Sequence, residues 1–175
     1  LAFGRGPGSF TGVRVGAGIA QGLAFGADLP VIPISNLTAM AQAAFELHQA
    51  ENVVAAIDAR MNEVYFSQVV REKVWSDFGE VFQWREIISE QVCSPEKAIS
   101  QLQNDNAFRV GTGWAAYYQF TEKNLTGSDI ELPNALYMLE LARVEYLQKH
   151  TISALEIEPI YLRNEVTWKK LPGRE

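Results

Sequence analysis

The chain has 175 residues, of which 47% are hydrophobic and 11% aromatic, enough to bury the cores of one or two small domains. Its formal net charge of −6 argues against a broad nucleic-acid-binding surface, and its basic residues cluster only near the C-terminus, at Lys169, Lys170 and Arg174. A single cysteine, Cys93, excludes an intramolecular disulfide and a CxxC metal site. The sequence shows no signal peptide and no membrane-spanning apolar run, so we expect a cytoplasmic protein.

The first unit predicted from the sequence is a strand, a glycine-rich loop and a helix. Apolar residues 1–3 are typical of the end of a buried strand, and the glycines and proline of residues 4–8 allow a tight turn. Ser9 or Thr11 is expected to cap the following helix. Because GxxxxGK[ST] and a complete GxGxxG are both absent, the sequence favours a structural turn over a phosphate cradle.

The helix that follows is unusual because glycine and alanine recur along it at a spacing of four residues. Two of its rows therefore carry almost no side chain, and Val15, Ile19 and Leu23 form an apolar ridge beside them. Each interior glycine costs about 0.8–1 kcal/mol relative to alanine. We therefore expect another helix to pack closely here, either within the first domain or from a partner. The candidate interface residues are Gly12, Val15, Gly18, Ile19, Gly22, Leu23 and Gly26.

A second strand and a second helix complete the first fifty residues. Residues 30–34 predict a short strand whose prolines limit its hydrogen bonding to an edge or an end, and Ser35 or Asn36 is expected to cap a helix. The residues on the apolar face of this helix are Leu37, Met40, Ala41, Ala44 and Phe45. A polar segment at residues 49–52 marks a boundary, so we assign residues 1–50 to the remainder of an N-terminal α/β half.

Residues 51–155 predict a second α/β half. Strands are expected at residues 53–58, 64–70 and 73–82, with a turn at residues 59–62 between the first two. Residues 84–92 have apolar side chains at helical spacing, and Ser94 and Pro95 are typical of a helix start.

The rest of this half continues with a strand at residues 108–110, a short helix from Trp114 and a last long helix opening at Pro133. Residues 156–175 are assigned to a C-terminal tail. Because Tyr161, Trp168 and Leu171 are too apolar for a free tail, we expect Pro159 to Leu171 to pack back across the domains, with Arg163 and Lys169 at the surface.

The two halves share an element order. The later half reads βββαβα before its last helix, and the earlier half reads βαβα, like the same unit without its first three strands and one helix. This repeat predicts that roughly 50–60 residues of the same kind precede Leu1. The expected fold is therefore a pair of related α/β halves, with the first half incomplete.

Four sequence blocks resemble the TsaB (YeaZ) family: GRGPGSFTGVRVG, IDARMNEVYF, VGTGW and PIYLRNEVTWKKLPGRE. The resemblance implies an α/β fold of the actin-like/Hsp70-like ATPase type. It also implies a role in making N6-threonylcarbamoyladenosine on tRNAs that read codons beginning with A. In that family the chain would be a non-catalytic subunit that binds and activates the catalytic subunit TsaD.

The resemblance also implies the partners and cofactors. TsaD and the ATPase TsaE would be partners, a homodimer could form without TsaD, and tRNA would be contacted only through the complex, with no membrane involved. ATP and a metal would be held by the partner subunits, so no cofactor-binding, metal-binding or catalytic residue is assigned to this chain. The alternatives left open are a self-associating scaffold and an ATPase or peptidase of the same fold.

The residues themselves argue against chemistry in this chain. The turn after Asp58 lacks glycines and carries the bulky Arg60 and Met61, so we expect Asp58 to cap the turn or pair with Arg60.

His48 and His150 form no HxxxH or HExxH motif and are expected at exposed helix ends. Ser9 lies outside any GxSxG elbow, and Cys93, expected in a loop, is interpreted as inert.

Overall fold

A mixed α/β fold of two β-sheets and five α-helices is seen in the computed structural model, which describes residues 1–76, 79–103, 106–120 and 125–163. In chain order its strands and helices are β1 (Ala2–Gly6), α1 (Phe10–Ala27), β2 (Ile32–Ser35), α2 (Asn36–His48), β3 (Asn52–Arg60), β4 (Glu63–Ser76), β5 (Gly79–Cys93), α3 (Pro95–Gln101), β6 (Phe108–Val110), α4 (Gly113–Ala116) and α5 (Met138–Leu147). Short 3-10 helices lie at Tyr118–Phe120, Ala135–Tyr137 and Ala154–Glu156.

The N-terminal sheet consists of β1 and β2, which pair in parallel with Phe3 opposite Pro33. α1 covers one face of this sheet, where Ala20 and Ala24 join a buried cluster with Phe3. The helix α5 supplies Met138 to a separate buried cluster, which includes β2 residues. Small alanine side chains let α1 approach the sheet closely, because a helix packs nearer where its side chains are short.

The larger sheet has the strand order β5-β4-β3-β6. β3 and β4 form an antiparallel hairpin, β4 and β5 form a second one, and β6 adds in parallel to β3, with Ala55 opposite Val110. Near-continuous apolar residues in β3 are expected for a central strand buried on both faces. One face packs against α3, Trp114 and Phe120, which are buried together with Phe66.

The helix α2 contacts both sheets. It begins after Ser35, whose Oγ accepts a hydrogen bond from Thr38 N at 3.1 Å, as the sequence predicts for one of its two candidate caps. Leu37 and Met40 are fully buried and pack against β3 residues such as Val53. Among the described residues, no helix combines the length and the apolar character that a bilayer crossing requires.

The element order predicted for both halves is confirmed, but several boundaries are wrong. Residues 84–92 form part of β5 and are not helical, because this segment pairs along β4, with Phe66 opposite Gln91. The third strand therefore starts at Gly79, and residues 73–76 extend β4 instead. Side chains at positions 84, 87 and 88 have helical spacing, but strand pairing with β4 determines the local structure.

The last helix also begins later than expected. Pro133 does not open it, because Asn134 Oδ1 accepts a hydrogen bond from Leu136 N at 2.9 Å and caps a 3-10 turn instead. α5 follows from Met138, and the apolar side chain of Leu139 is 64% exposed. The apolar residues that α5 buries are Met138, Ala142 and Val144.

Candidate interaction site

The helix α1 begins at Phe10, immediately after the glycine-rich loop. Ser9 Oγ accepts a hydrogen bond from Gly12 N at 3.4 Å, so Ser9 is the N-cap and Thr11 is not. At the other end Asp28 adopts a left-handed conformation with φ 51°, which terminates the helix. The predicted strand, loop and helix unit is therefore confirmed.

Within the described residues, the fold covers one side of α1. Its buried residues are Val13, Ala17, Ala20 and Ala24, which recur at spacings of three or four and face the N-terminal sheet. On another side Val15 is 54%, Ile19 60% and Leu23 58% exposed. Contiguous exposed apolar side chains on the surface of a folded protein often mark an interaction site.

The glycines beside this ridge are uncovered as well. A Cβ atom built at Gly16, Gly18, Gly22 or Gly26 would meet no heavy atom within 4 Å beyond α1's own backbone and chain neighbours. The alternative that a helix of the same domain packs closely on these glycines is therefore wrong for the described residues. All seven candidate interface residues lie on α1 and are exposed. Their role at a partner interface stays a prediction.

The turn between β3 and β4 is organised by Asp58. Its Oδ1 accepts hydrogen bonds from Arg60 N at 2.9 Å and from the Tyr117 hydroxyl at 2.7 Å, and Arg60 NH1 lies 3.1 Å from Oδ2. Arg60, Met61 and Asn62 all have positive φ, with values of 63°, 55° and 57°. Because side chains with a Cβ disfavour this conformation, the hydrogen bonds of Asp58 help to hold the turn. The structural role predicted for Asp58 is confirmed.

The charges of Asp58 and Tyr117 are set by this arrangement. Desolvation alone would raise the pKa of Asp58, but the hydrogen bonds from Tyr117 and Arg60 and the charge of Arg60 lower it overall. Desolvation, together with the hydrogen bond to Asp58 and its negative charge, raises the pKa of Tyr117 to about 12. At neutral pH the carboxylate is therefore ionised and the phenol is protonated.

This turn does not fit a nucleotide phosphate and its magnesium ion. Such a site needs free carboxylate oxygens and a backbone that the phosphates can approach closely. Both carboxylate oxygens of Asp58 are engaged by Arg60 or Tyr117, and the bend residues Arg60, Met61 and Asn62 include no glycine. Among the described residues, this turn therefore offers no ligand set for a nucleotide phosphate and its metal ion.

A cleft of about 900 Å³ separates α1 from this turn. It lies between Phe10 and Arg14 on α1, the turn residues around Met61, and the C-terminal segment Ile160–Arg163. The guanidinium carbon of Arg14 is 3.3 Å from the ring centroid of Phe10 and 4.7 Å from that of Tyr161. No role was predicted for Arg14 from the sequence, although its spacing of four residues from Phe10 indicates that the two side chains can meet on the helix surface.

The C-terminal segment closes another side of the cleft. Ile160 N donates a hydrogen bond to Arg5 O at 2.9 Å, and Arg163 donates hydrogen bonds to Glu63 and to the carbonyl of Ala59. Arg163 was expected at the surface, but its side chain is only 24% exposed because the ion pair with Glu63 holds it inward. The predicted positions of Trp168, Lys169 and Leu171 lie outside the described residues.

Nucleophilic and metal-binding side chains are dispersed. His48 ends α2 and stacks on Phe108, with 5.1 Å between the ring centroids. His150 follows α5, and its Nδ1 forms a 2.9 Å hydrogen bond with Oε2 of Glu145. Cys93 ends β5 and is not in a loop, and burial raises the pKa of its thiol. Over the described residues, no three or more His, Cys, Asp or Glu side chains are grouped in a way that could hold a metal ion.

Comparison with known proteins identifies the relatives of this fold. The family model described as "TsaD: tRNA N6-adenosine threonylcarbamoyltransferase" matches residues 1–169. The tRNA threonylcarbamoyladenosine biosynthesis protein TsaB of Haemophilus influenzae is 96% identical over 175 residues, which are 100% of this chain and 74% of that protein. Its counterpart in Escherichia coli is 44% identical over 100% of this chain and 75% of its own length.

A solved structure agrees with these sequence relatives. YeaZ from Pseudomonas aeruginosa superposes with a TM-score of 0.77 at 37% identity, covering 91% of this chain and 73% of that one. The α/β fold and the family resemblance inferred from the sequence are therefore confirmed. The chain belongs to the family that the matching model describes and, within it, to the TsaB proteins of tRNA threonylcarbamoyladenosine biosynthesis.

Proposed function

We propose that this chain is a cytoplasmic, non-catalytic subunit that binds TsaD through the exposed face of α1 and thereby activates the formation of N6-threonylcarbamoyladenosine on tRNA. The observation that carries the proposal is the ridge of Val15, Ile19 and Leu23 beside glycines that no other part of the described fold covers. Such a ridge is favourable only when another surface buries it.

The glycine rows support a helix as the covering element. Without side chains at Gly18 and Gly22, two helix backbones can approach more closely than ordinary packing allows. Two interior glycines cost α1 about 2 kcal/mol of helix propensity, which contacts made only in a complex can offset. The same face could pair with a second copy of the chain when TsaD is absent, which is the alternative of a self-associating scaffold.

A non-catalytic role is supported by the β3–β4 turn. The engaged oxygens of Asp58 leave no open metal ligand there, so ATP and metal are assigned to the partner subunits, TsaE among them. We expect the chain alone to bind ATP more weakly than a dissociation constant of about 100 μM, or about −5.5 kcal/mol. Calorimetry that finds one tighter site, or ATP turnover by the isolated chain, would favour the enzyme alternative.

The proposal is tested by replacing one residue of the ridge. Ile19→Asp places a charge at the centre of the ridge, and we expect at least tenfold weaker binding to TsaD because a buried hot spot contributes about 2 kcal/mol or more. Leu139→Asp is the matched control, since Leu139 is equally exposed, at 64%, but lies on α5. Binding to TsaD is measured by calorimetry. The rate of tRNA modification is measured in a reconstituted system that contains TsaD and TsaE.

The outcomes separate the function classes. Loss of both TsaD binding and tRNA modification with Ile19→Asp, but not with Leu139→Asp, supports the proposal. Equal loss with both variants would show that the ridge has no special role. If the parent chain forms a stable homodimer and does not bind TsaD, the self-associating scaffold is favoured instead.

A further inference from the structure

The cleft beside Arg14 lies at the end of the proposed interface. Phe10 and Arg14 occupy the same helical row as Gly18, Gly22 and Gly26, because all five are spaced by four residues along α1. A partner element that follows the bare part of this row towards the start of the helix reaches Arg14 and the cleft. The cleft therefore lies at the N-terminal end of the glycine row that runs beside the ridge.

Arg14 provides a positive charge that the described fold does not neutralise. Its NH1 donates to Phe10 O at 3.0 Å, and its guanidinium lies against the rings of Phe10 and Tyr161. The other arginines of the cleft face carboxylates, Arg60 that of Asp58 and Arg163 that of Glu63. Within the described part of the chain, Arg14 is the cleft's one cation without an acidic partner.

The walls of the cleft indicate the kind of ligand. Phe10 is 70%, Met61 65% and Tyr161 50% exposed, so apolar side chains line the open rim of the cleft. Small-molecule pockets enclose most of their ligand, whereas arginine and aromatic side chains on an accessible surface are typical anchors of protein interfaces. An arginine fork between apolar side chains matches a carboxylate flanked by apolar residues.

We propose that this cleft receives an acidic segment of the same protein that covers α1, with a carboxylate of that segment bound to Arg14. This inference rests on the proposed function, since it assumes that TsaD is the protein on the α1 face. The contact extends the interface beyond the ridge and fixes the direction in which the partner lies along α1.

The test compares Arg14→Met with Lys97→Met. Methionine keeps an unbranched stem and removes the charge, and Lys97 is an exposed cation on α3 outside the cleft. We expect Arg14→Met to raise the dissociation constant for TsaD at least tenfold and Lys97→Met to leave it unchanged. Added sodium chloride should weaken binding less for Arg14→Met than for the parent, because the screened charge pair is gone.

A crosslink locates the segment directly. A photoreactive phenylalanine analogue at Met61 should form a crosslink to TsaD, and mass spectrometry should place it beside an aspartate or glutamate of TsaD. A crosslink to a segment without acidic residues would contradict the inference.

The outcomes distinguish this inference from the proposed function. If Arg14→Met binds TsaD as tightly as the parent while Ile19→Asp does not, the acidic-segment inference is wrong and the proposed function stands. If the parent chain itself does not bind TsaD, the proposed function is wrong and the inference falls with it. Saturable binding of ATP that Arg14→Met abolishes would overturn the inference in favour of a nucleotide.

Discussion

The Tyr117 hydroxyl donates a 2.7 Å hydrogen bond to Asp58 Oδ1 and so ties the segment after α4 to the β3–β4 turn. The carbonyl oxygen of Glu63 lies 3.2 Å from the same hydroxyl and shares its proton, and Asp58 N donates a hydrogen bond to Thr112 Oγ1 at 3.1 Å. This network fixes the turn that forms one wall of the cleft. It therefore links the stability of the fold to the shape of the candidate site.

The network predicts a loss of stability at alkaline pH. An unfolded tyrosine loses its proton near pH 10, whereas folded Tyr117 holds it until about pH 12. Between these values the folded state binds more protons, so the contribution of Tyr117 to stability is full below pH 10 and is lost as pH rises through about 12. The free energy of unfolding is measured by urea titration across this range.

Tyr117→Phe isolates this contribution. At neutral pH it should lower the free energy of unfolding by about 1.5–3 kcal/mol, the value of a hydrogen bond to a charged group. The stability difference between parent and variant should then narrow from pH 10 to 12. A difference that stays constant over this range would show that Tyr117 does not titrate as its surroundings require.

Glu90 should be important for stability because it joins the two sheets. Arg5 NH1 lies 2.9 Å from its Oε2, Ser35 Oγ donates to its Oε1, and its side chain is only 9% exposed. Glu90→Gln removes the charge and leaves Arg5 without its ion-pair partner. We expect a loss of about 1.5–3 kcal/mol in the free energy of unfolding, measured by urea denaturation.

The control for this prediction is an ion pair in solvent. Arg143 and Glu140 pair within α5 with both side chains about half exposed. Arg143→Gln should cost only about 0.3–0.5 kcal/mol, because exposed helical pairs contribute little. If both variants have the same small effect, burial does not strengthen the Glu90 pair.

The sequence predicted the order of elements better than their bounds. Caps at Ser9, Ser35 and Ser94 are local signals and are confirmed by the hydrogen bonds that each hydroxyl accepts. The strand at residues 84–92 could not be predicted locally, because its conformation depends on pairing with β4, whose residues lie up to 27 positions earlier (92 − 65 = 27 for Val92 and Tyr65).

The candidate site was predictable only in part. The spacing of Val15, Ile19 and Leu23 shows that they share a side of α1, but not whether the fold covers that side. The cleft at Arg14 brings α1 together with Tyr161, a residue far along the chain. Such a juxtaposition follows from tertiary packing and has no signature in a single sequence.

Docking of the C-terminal segment predicts slow amide exchange at one position. Ile160 N is bonded to Arg5 O at 2.9 Å, and Arg163 anchors the segment to Glu63 three residues later. The Ile160 amide should therefore be protected in native-state hydrogen exchange. Arg163→Ala should reduce this protection and leave that of β3 amides unchanged. Unprotected exchange at Ile160 in the parent would contradict the docking.

Glycines at two sites should respond oppositely to substitution. In the free chain Gly22→Ala should raise the free energy of unfolding by about 0.8–1 kcal/mol, since its Cβ meets no heavy atom and alanine favours the helix. Gly111→Ala should lower it by about 2 kcal/mol or more, because Gly111 has φ 106° and its Cβ would overlap the carbonyl of Ala56. Thermal and urea unfolding measure both changes.

The complex with TsaD should reverse the benefit at Gly22. Gly22→Leu adds a large side chain where we expect the partner helix, and overpacking costs typically about 1–3 kcal/mol. Binding to TsaD should therefore weaken by about five- to hundredfold although the free chain is at least as stable as the parent. Calorimetric titration and urea denaturation of the same preparation separate the two effects. A Gly22→Leu chain that binds TsaD and supports tRNA modification like the parent would show that no close helix contact forms at this glycine.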